Sequence, residues 1–294
     1  MNRLPLRIAM TVDPEIPVPP TLYGGIERIV DMLVRELGRR GHEIHLFANS
    51  ASTVEARLWP YPGQTSISAR HTVHNMVHVF QTVRRNEPFD VIHSFARLAY
   101  LLPLLPLSQP KIQRYQRFIY PRSIRLGTAL SRGSLTFTTC SAINAIPVRD
   151  LGGRWEIIYN GVEMGKYQYS SIVADDAPLV FLGRVERIKG AHTAIEAARR
   201  VGRRLIIAGN HAETGEAADY FSREILPQCD GEQVVYVGPV NDLQKNDLLG
   251  RAAALLFPIE IEEPFGIVMA EALACGTPVI ALRRGAVPEV VRHA

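Results

Sequence analysis

The chain begins its regular patterning almost at once. Arg7 to Val12 is a short, mostly apolar run that predicts a buried strand. A proline-rich stretch follows (Pro14, Pro17, Pro19, Pro20) and ends at Gly24-Gly25. Beyond it Ile26, Ile29, Val30, Leu33, Val34 and Leu37 recur three and four apart, the spacing of an amphipathic helix. Gly41 closes that helix, and Glu43 to Ala48 forms the next strand. Strand, glycine loop, helix, strand is a βαβ unit, which belongs in a parallel sheet. The same alternation predicts a helix near Asn75–Arg85 and strands at Val91–His93, Leu135–Cys140 and Glu156–Tyr159.

A polar stretch from Gln168 to Asp176 reads as a linker, and a second series starts beyond it. Strands are expected at Leu179–Leu182, Arg204–Ala208, Val234–Val237, Ala254–Pro258 and Pro278–Ala281. Helices alternate with them at Ala191–Val201, Ala217–Leu226, Asn241–Arg251 and Ile267–Ala274. Both halves are therefore α/β, each with its own sheet. The 294 residues suffice for two domains of ordinary size, expected at 1–167 and 177–294. Two Rossmann-like domains facing one cleft, with ligands at the strand C-terminal ends, is the architecture this predicts.

Composition narrows the chemistry. Apolar residues make up 47% and charged ones 21%, the balance of a chain that buries real cores. A net charge of +4 is too weak for a nucleic-acid footprint but suits an anionic small-molecule ligand. Cys140, Cys229 and Cys275 are too scattered for a zinc or disulfide framework, which fits a reducing cytoplasm. No apolar run reaches the roughly 18 residues of a membrane span, and the early strand leaves no expected signal peptide.

Two loops carry candidate chemistry. Gly183-Arg184-Val185-Glu186-Arg187-Ile188-Lys189-Gly190 joins a strand to a helix, so Arg184 and Lys189 can converge on a phosphate at the helix N-terminus. Such cations would neutralise a diphosphate leaving group as its charge builds. The plainer alternative is two solvated surface cations. Glu263-Pro264-Phe265-Gly266-Ile267-Val268-Met269-Ala270-Glu271 makes a tight turn that opens a helix. Glu263 before the helix and Glu271 on it can grip different hydroxyls of one ligand. Alternatively Glu263 is an ordinary N-terminal helix charge and Glu271 an exposed helix residue.

Taken together, Gly24-Gly25-Ile26-Glu27, Tyr159-Asn160-Gly161-Val162-Glu163, Gly183-Arg184 with Lys189-Gly190, Glu263-Pro264-Phe265-Gly266 with Glu271, and Gly285-Ala286-Val287-Pro288-Glu289 resemble the retaining glycosyltransferases of GT-B fold, family 4. The resemblance covers nearly the whole chain. It implies transfer of a sugar from a UDP- or GDP-sugar to a saccharide, lipid or small-molecule acceptor, with retention of anomeric configuration. It further implies that Arg184 and Lys189 bind the diphosphate, and that the Gly24-Gly25 loop approaches it. Glu263 and the backbone of Phe265, Gly266 and Ile267 would position the donor sugar, and Glu271 would hold the ribose. The family usually needs no metal or other cofactor, and the chain has no Asp-x-Asp triplet.

The chain departs from that pattern in two places. Gln116 stands where the family has a histidine near the donor sugar, leaving His93 as the candidate to compensate. The sequence also ends at Ala294, so the crossing C-terminal helices are expected to be absent and the second domain incomplete. These departures motivate a second reading, a catalytically impaired nucleotide-sugar-binding pseudoenzyme or partner subunit. A sugar-nucleotide epimerase fits the paired carboxylates less well, and no Gly-x-Gly-x-x-Gly follows the first strand to suggest a nicotinamide enzyme. Finally, 111–132 holds six basic residues and no acidic one. It reads either as a solvated loop and helix face or as a peripheral contact with an anionic acceptor or membrane, at the inner face if the protein is cytoplasmic.

Overall fold

Runs of β-branched and aromatic residues buried on both faces pair most readily as parallel strands with helices packed over them. The computed structural model, which describes residues 4–291, realises that arrangement twice. The first unit contains β1 (Arg7–Thr11), α1 (Gly25–Arg39), β2 (Glu43–Ala48), β3 (Arg57–Pro60), α2 (Ala69–Arg85), β4 (Val91–Ser94), β5 (Lys111–Tyr115), α3 (Pro121–Ser131), β6 (Leu135–Thr139), α4 (Ala142–Ala145) and β7 (Arg154–Ile157). Its strands form a seven-stranded parallel sheet ordered β3-β2-β1-β4-β5-β6-β7.

The second unit runs β8 (Leu179–Leu182), α5 (Ala191–Arg200), β9 (Leu205–Ala208), α6 (Glu216–Tyr220), β10 (Val234–Gly238), α7 (Asp242–Gly250), β11 (Ala254–Phe257), α8 (Ile267–Ala274), β12 (Val279–Ala281) and α9 (Val287–Val290). Five parallel strands follow the order β10-β9-β8-β11-β12. The strand order therefore reverses between β1 and β4 in one sheet and between β8 and β11 in the other. Such switch points open a crevice beyond the strand C-termini, and the motif loops leave β8 and β11 there.

The division between units falls at Tyr159/Asn160, not at the polar stretch after residue 167. The reason is a set of contacts that tie the intervening segment to the second unit. The Tyr167 hydroxyl donates to Glu271 at 2.9 Å, the Gln168 amide to Asn246 at 3.0 Å, and the Ser170 amide to the Cys275 carbonyl at 3.0 Å.

The pattern along the chain did not reveal β3, the 3-10 turn Leu98–Leu104, or α3. Proline at 103 and short length hide the first two from periodicity. More consequential is β5, which places part of the basic segment in the middle of the sheet. Lys111 is 1% exposed and Arg114 5%. The Lys111 ammonium donates to the carbonyls of Leu107 at 2.7 Å and Gln109 at 2.6 Å, and burial pushes its pKa down to about 8. Arg114 donates to the Ile158 carbonyl at 2.9 Å. Two of the six cations are thus internal, and the segment is not one solvated face.

His93 lies on β4, in register with Met10 on β1 and Ile112 on β5. Its Nε2 is buried without a hydrogen-bond partner among the described residues. Burial, and secondarily the Arg114 charge, push its pKa down from 6.5 to about 3. The unfolded chain consequently binds one more proton than the folded chain between those values. His93 thus lowers stability as pH falls from 6.5 towards about 3 and adds no pH dependence above that range. His93→Gln is expected to flatten the acid limb, read as urea unfolding midpoints at about pH 7 and about pH 4. An acid limb as steep as the parent's would show that His93 is not buried neutral.

A second expectation concerns Gly190, which caps α5 with a left-handed φ of +80°. A Cβ there would lie 2.2 Å from the Pro258 carbonyl oxygen. Gly202 has φ +64°, but nothing lies within 4 Å of the place its Cβ would take. Gly202→Ala should therefore cost only the left-handed strain, about 1 kcal/mol, and Gly190→Ala at least about 2 kcal/mol more. Equal losses in urea unfolding would mean that the two loops are not held together as described.

Candidate functional site

The loops leaving β8 and β11 are sewn together by their backbones. The Gly183 amide donates to the Ala208 carbonyl at 3.0 Å and the Val185 amide to the Asn210 carbonyl at 2.9 Å, which ties the first loop to β9. Arg187–Lys189 then forms a 3-10 turn, and the Ile188 carbonyl accepts from the Glu260 amide at 3.0 Å. Gly190 meets Pro258 at the same crossing. The segment after β12 completes the assembly. The Gly285 amide donates to Glu262 at 2.6 Å, the Ala286 amide to the Glu263 carbonyl at 2.9 Å, and the Arg284 guanidinium to the Glu260 carbonyl at 3.1 Å.

This framework brings Lys189 and Glu263 together across 74 residues of sequence, with Nζ 2.6 Å from Oε2. Their side chains are 18% and 16% exposed, so the pair is shielded but reachable. The Arg184 guanidinium binds Glu186 on its own loop, and its side chain is 37% exposed. His192 at the start of α5 reaches Glu260 at 3.1 Å and the Tyr220 hydroxyl at 2.8 Å.

Gly266 caps α8 with φ +73° and ψ +67°, a left-handed turn that lets the chain enter the helix directly from Pro264-Phe265. Phe265 is 5% exposed, which anchors the turn, and Ile267 opens the helix. The first amide groups of α8 have no carbonyl of their own turn to bind, as at any helix start. One turn on, Glu271 is only 4% exposed, so it is not the exposed helix residue of the plainer sequence reading. Its Oε1 accepts from the Tyr167 hydroxyl at 2.9 Å and from the Lys245 ammonium on α7. A carboxylate buried this far is stable only with such partners. Neither Tyr167 nor Lys245 stood out in the sequence. A lysine among the inward positions of α7 (Lys245 and Leu249 are its buried residues) was the available signal.

Gly24, Gly25, His93 and Gln116 belong to the first unit. Gly24 caps α1 with φ +149°, and a Cβ there would meet Pro20 at 2.7 Å and Glu27 at 2.9 Å; Gly25 is the first helical residue. Beyond β1, Asp13 sits between Arg117 at 3.2 Å and Arg97 at 3.8 Å. Burial raises the pKa of its carboxyl against the pull of both arginines, and burial likewise raises that of Glu27. Gln116 immediately follows β5, at the strand's C-terminal end. His93 is half-buried, and desolvation of its ring pushes its pKa down to about 3, so it carries no charge at physiological pH.

Two family models match end to end. Residues 23–166 match "Glycosyltransferase Family 4" and residues 168–294 match "Glycosyl transferases group 1". A glycogen synthase of Mycobacterium tuberculosis is 31% identical over 173 residues, which take in 55% of this chain and 41% of that protein. The chain thus aligns with less than half the length of the curated relatives it matches. Among solved structures, AviGT4, a glycosyltransferase involved in avilamycin A biosynthesis, superposes with a TM-score of 0.66 at 25% identity, covering 98% of this chain and 81% of that one. The Anabaena HepE protein in complex with UDP and glucose gives a TM-score of 0.73 at 19% identity, covering 98% and 83%. With one glycosyltransferase family matched by each half, on two doubly wound parallel sheets, the chain belongs to the GT-B glycosyltransferases of family 4 and group 1.

Proposed function

We propose that the protein transfers a sugar from a nucleoside-diphosphate sugar, UDP-linked in the first instance, to a hydroxyl of a saccharide, lipid or small-molecule acceptor. The observation that carries this reading is the Lys189–Glu263 pair at the β8/β11 switch point, beside a helix start and one turn from a buried, cation-held Glu271. The UDP in the HepE structure supports the choice of nucleotide. In this reading Lys189 exchanges Glu263 for the donor diphosphate, and Arg184 adds a second cation. Glu263, released, accepts hydrogen bonds from sugar hydroxyls together with the backbone at Phe265, Gly266 and Ile267. Glu271 accepts from the ribose hydroxyls.

Retention follows from a front-face course. The bond from the anomeric carbon to the phosphate oxygen breaks while the acceptor oxygen bonds to the same face. The acceptor proton passes to the departing phosphate oxygen, leaving nucleoside diphosphate and the glycosylated acceptor. The protein then supplies placement and positive charge rather than a base. A neutral His93 is compatible with this course, which asks for no imidazolium. NMR of the product's anomeric proton tests it, and an inverted product would rule it out.

Two results test the donor site. Lys189→Ala and Glu271→Ala should each weaken UDP binding about tenfold or more by titration calorimetry, since a charge-assisted hydrogen bond contributes about 1.5 kcal/mol. Unchanged affinity in both would mean that nucleotide binds elsewhere. Glu263→Gln should leave UDP affinity near the parent's, because UDP lacks the sugar to be transferred, and yet lower turnover of the sugar donor about a hundredfold through misplacement. A variant that turns over normally would remove Glu263 from the sugar site.

A further inference from the structure

With Lys111 and Arg114 accounted for inside the sheet and Arg117 paired with Asp13, two of the remaining basic residues of 111–132, Arg122 and Arg125, lie on one exposed helix face. On α3 the inward side is made by Ile124, Gly127 and Ser131, and Gly127 sits so close to the β6 side chains that a Cβ would meet Phe137 at 2.9 Å. The outward side carries Arg122, Arg125, Leu126, Ala129 and Leu130, at the three- and four-residue spacing of a single helical face. Leu126 is 44% exposed and Leu130 39%.

The turn leading into α3 adds two aromatic rings. Phe118 and Tyr120 are each 67% exposed, and their rings pack edge to face against one another, centroids 5.3 Å apart. Among the described residues, Arg122, Arg125 and Arg132 make no ion pair or hydrogen bond. Some helix-surface arginines are paired along their own helix, as in Arg40–Glu36, Arg200–Glu196 and Arg251–Asp247, whereas those of α3 are set between apolar side chains with no carboxylate on their own helix. The turn Arg149–Leu151, which packs beside α3, carries the nearby carboxylate of Asp150, and this faces Arg149 at 3.8 Å.

We propose that this surface (Phe118, Tyr120, Arg122, Arg125, Leu126 and Leu130) docks the first unit onto an anionic lipid bilayer. The chemistry favours a membrane over other partners. Interleaved arginine, leucine and aromatic side chains on one helix face are what an interfacial helix presents, apolar groups entering the acyl boundary while guanidinium groups remain among lipid phosphates. The centre of a protein–protein contact is depleted of charge, which does not fit arginines set between the apolar residues. A soluble polyanion would engage the arginines and leave the aromatic and leucine side chains in water. Because the inward side of α3 is packed on β6, the helix would lie flat on the bilayer without leaving the fold. Its occupant is independent of the donor-site reading, and no helix among the described residues is long and apolar enough to cross a membrane.

Vesicle co-sedimentation tests it, using phosphatidylcholine vesicles with and without phosphatidylglycerol. The full chain should partition onto the phosphatidylglycerol vesicles alone, less strongly as salt rises. Arg122→Ala and Arg125→Ala should each reduce the partition coefficient about fivefold, the effect of removing one juxtamembrane cation. Phe118→Ser combined with Tyr120→Ser should reduce it about tenfold even at low salt, while binding to dextran sulfate stays unchanged. All four positions are exposed, so the variants should keep the parent's melting temperature; should the aromatic pair alter it, Leu126→Ser takes its place. Absence of partitioning at low salt would overturn the proposal. So would vesicle binding by the aromatic variant equal to the parent's, which would leave the surface as a purely electrostatic patch for a polyanion.

Discussion

The close approach of Gly190 to the Pro258 carbonyl is the contact on which the second unit's chemistry rests. A side chain at 190 would push the β8 loop away from β11, and with it the Ile188–Glu260 backbone bond that fixes their relative height. Lys189 follows that bond in sequence, and Glu263 lies three residues beyond Glu260. Their meeting at 2.6 Å is therefore a consequence of backbone packing, with the charge pair added on top. The three hydrogen bonds from Arg284, Gly285 and Ala286 to Glu260, Glu262 and Glu263 hold the same segment from its other side. Placement is what a group-transfer site at these loops would have to supply, because small errors in position cost large factors in rate.

The two carboxylates of the motif occupy different electrostatic settings. Glu263 and Lys189 keep 16% and 18% of their side-chain surfaces in solvent, so separating them to admit a phosphate exposes both to water and costs little. Glu271 and Lys245 keep 6% and 9%, and removing either partner would strand a buried charge. The first pair can exchange partners; the second is built to stay. An anionic ligand entering here would find one movable cation and one carboxylate already held in orientation by Tyr167 and Lys245.

In the first unit the cost of burial is managed differently. Lys111 is buried against two carbonyl oxygens, and the Arg114 guanidinium donates to a third, so backbone dipoles meet the charges. His93, beside Arg114, gives up its proton instead. With those groups internal and Arg117 paired with Asp13, Arg122 and Arg125 are left on the outer face of α3, a helix without an acidic side chain. A chain whose net charge is only +4 thereby presents a locally strong positive surface.

Strand and helix periodicity, loop glycines and the two motif loops were legible along the chain because they depend on neighbours within a few residues. β2, β8 and α8 fall within the residue ranges read from the pattern alone, and the doubly wound order follows from alternating elements. The roles of particular charges were not legible. Glu271 meets Tyr167 across 104 residues and Lys189 meets Glu263 across 74, separations over which sequence pattern carries no information about contact. Whether a lysine faces water or two carbonyls, as at Lys111, is decided by which strand lands beside it. Sequence by itself determined the elements and where their loops would gather. Only the tertiary structure decided which charges are paired, which are buried, and which remain outside, because solvation and Coulomb energy depend on distances that exist only once the chain has folded.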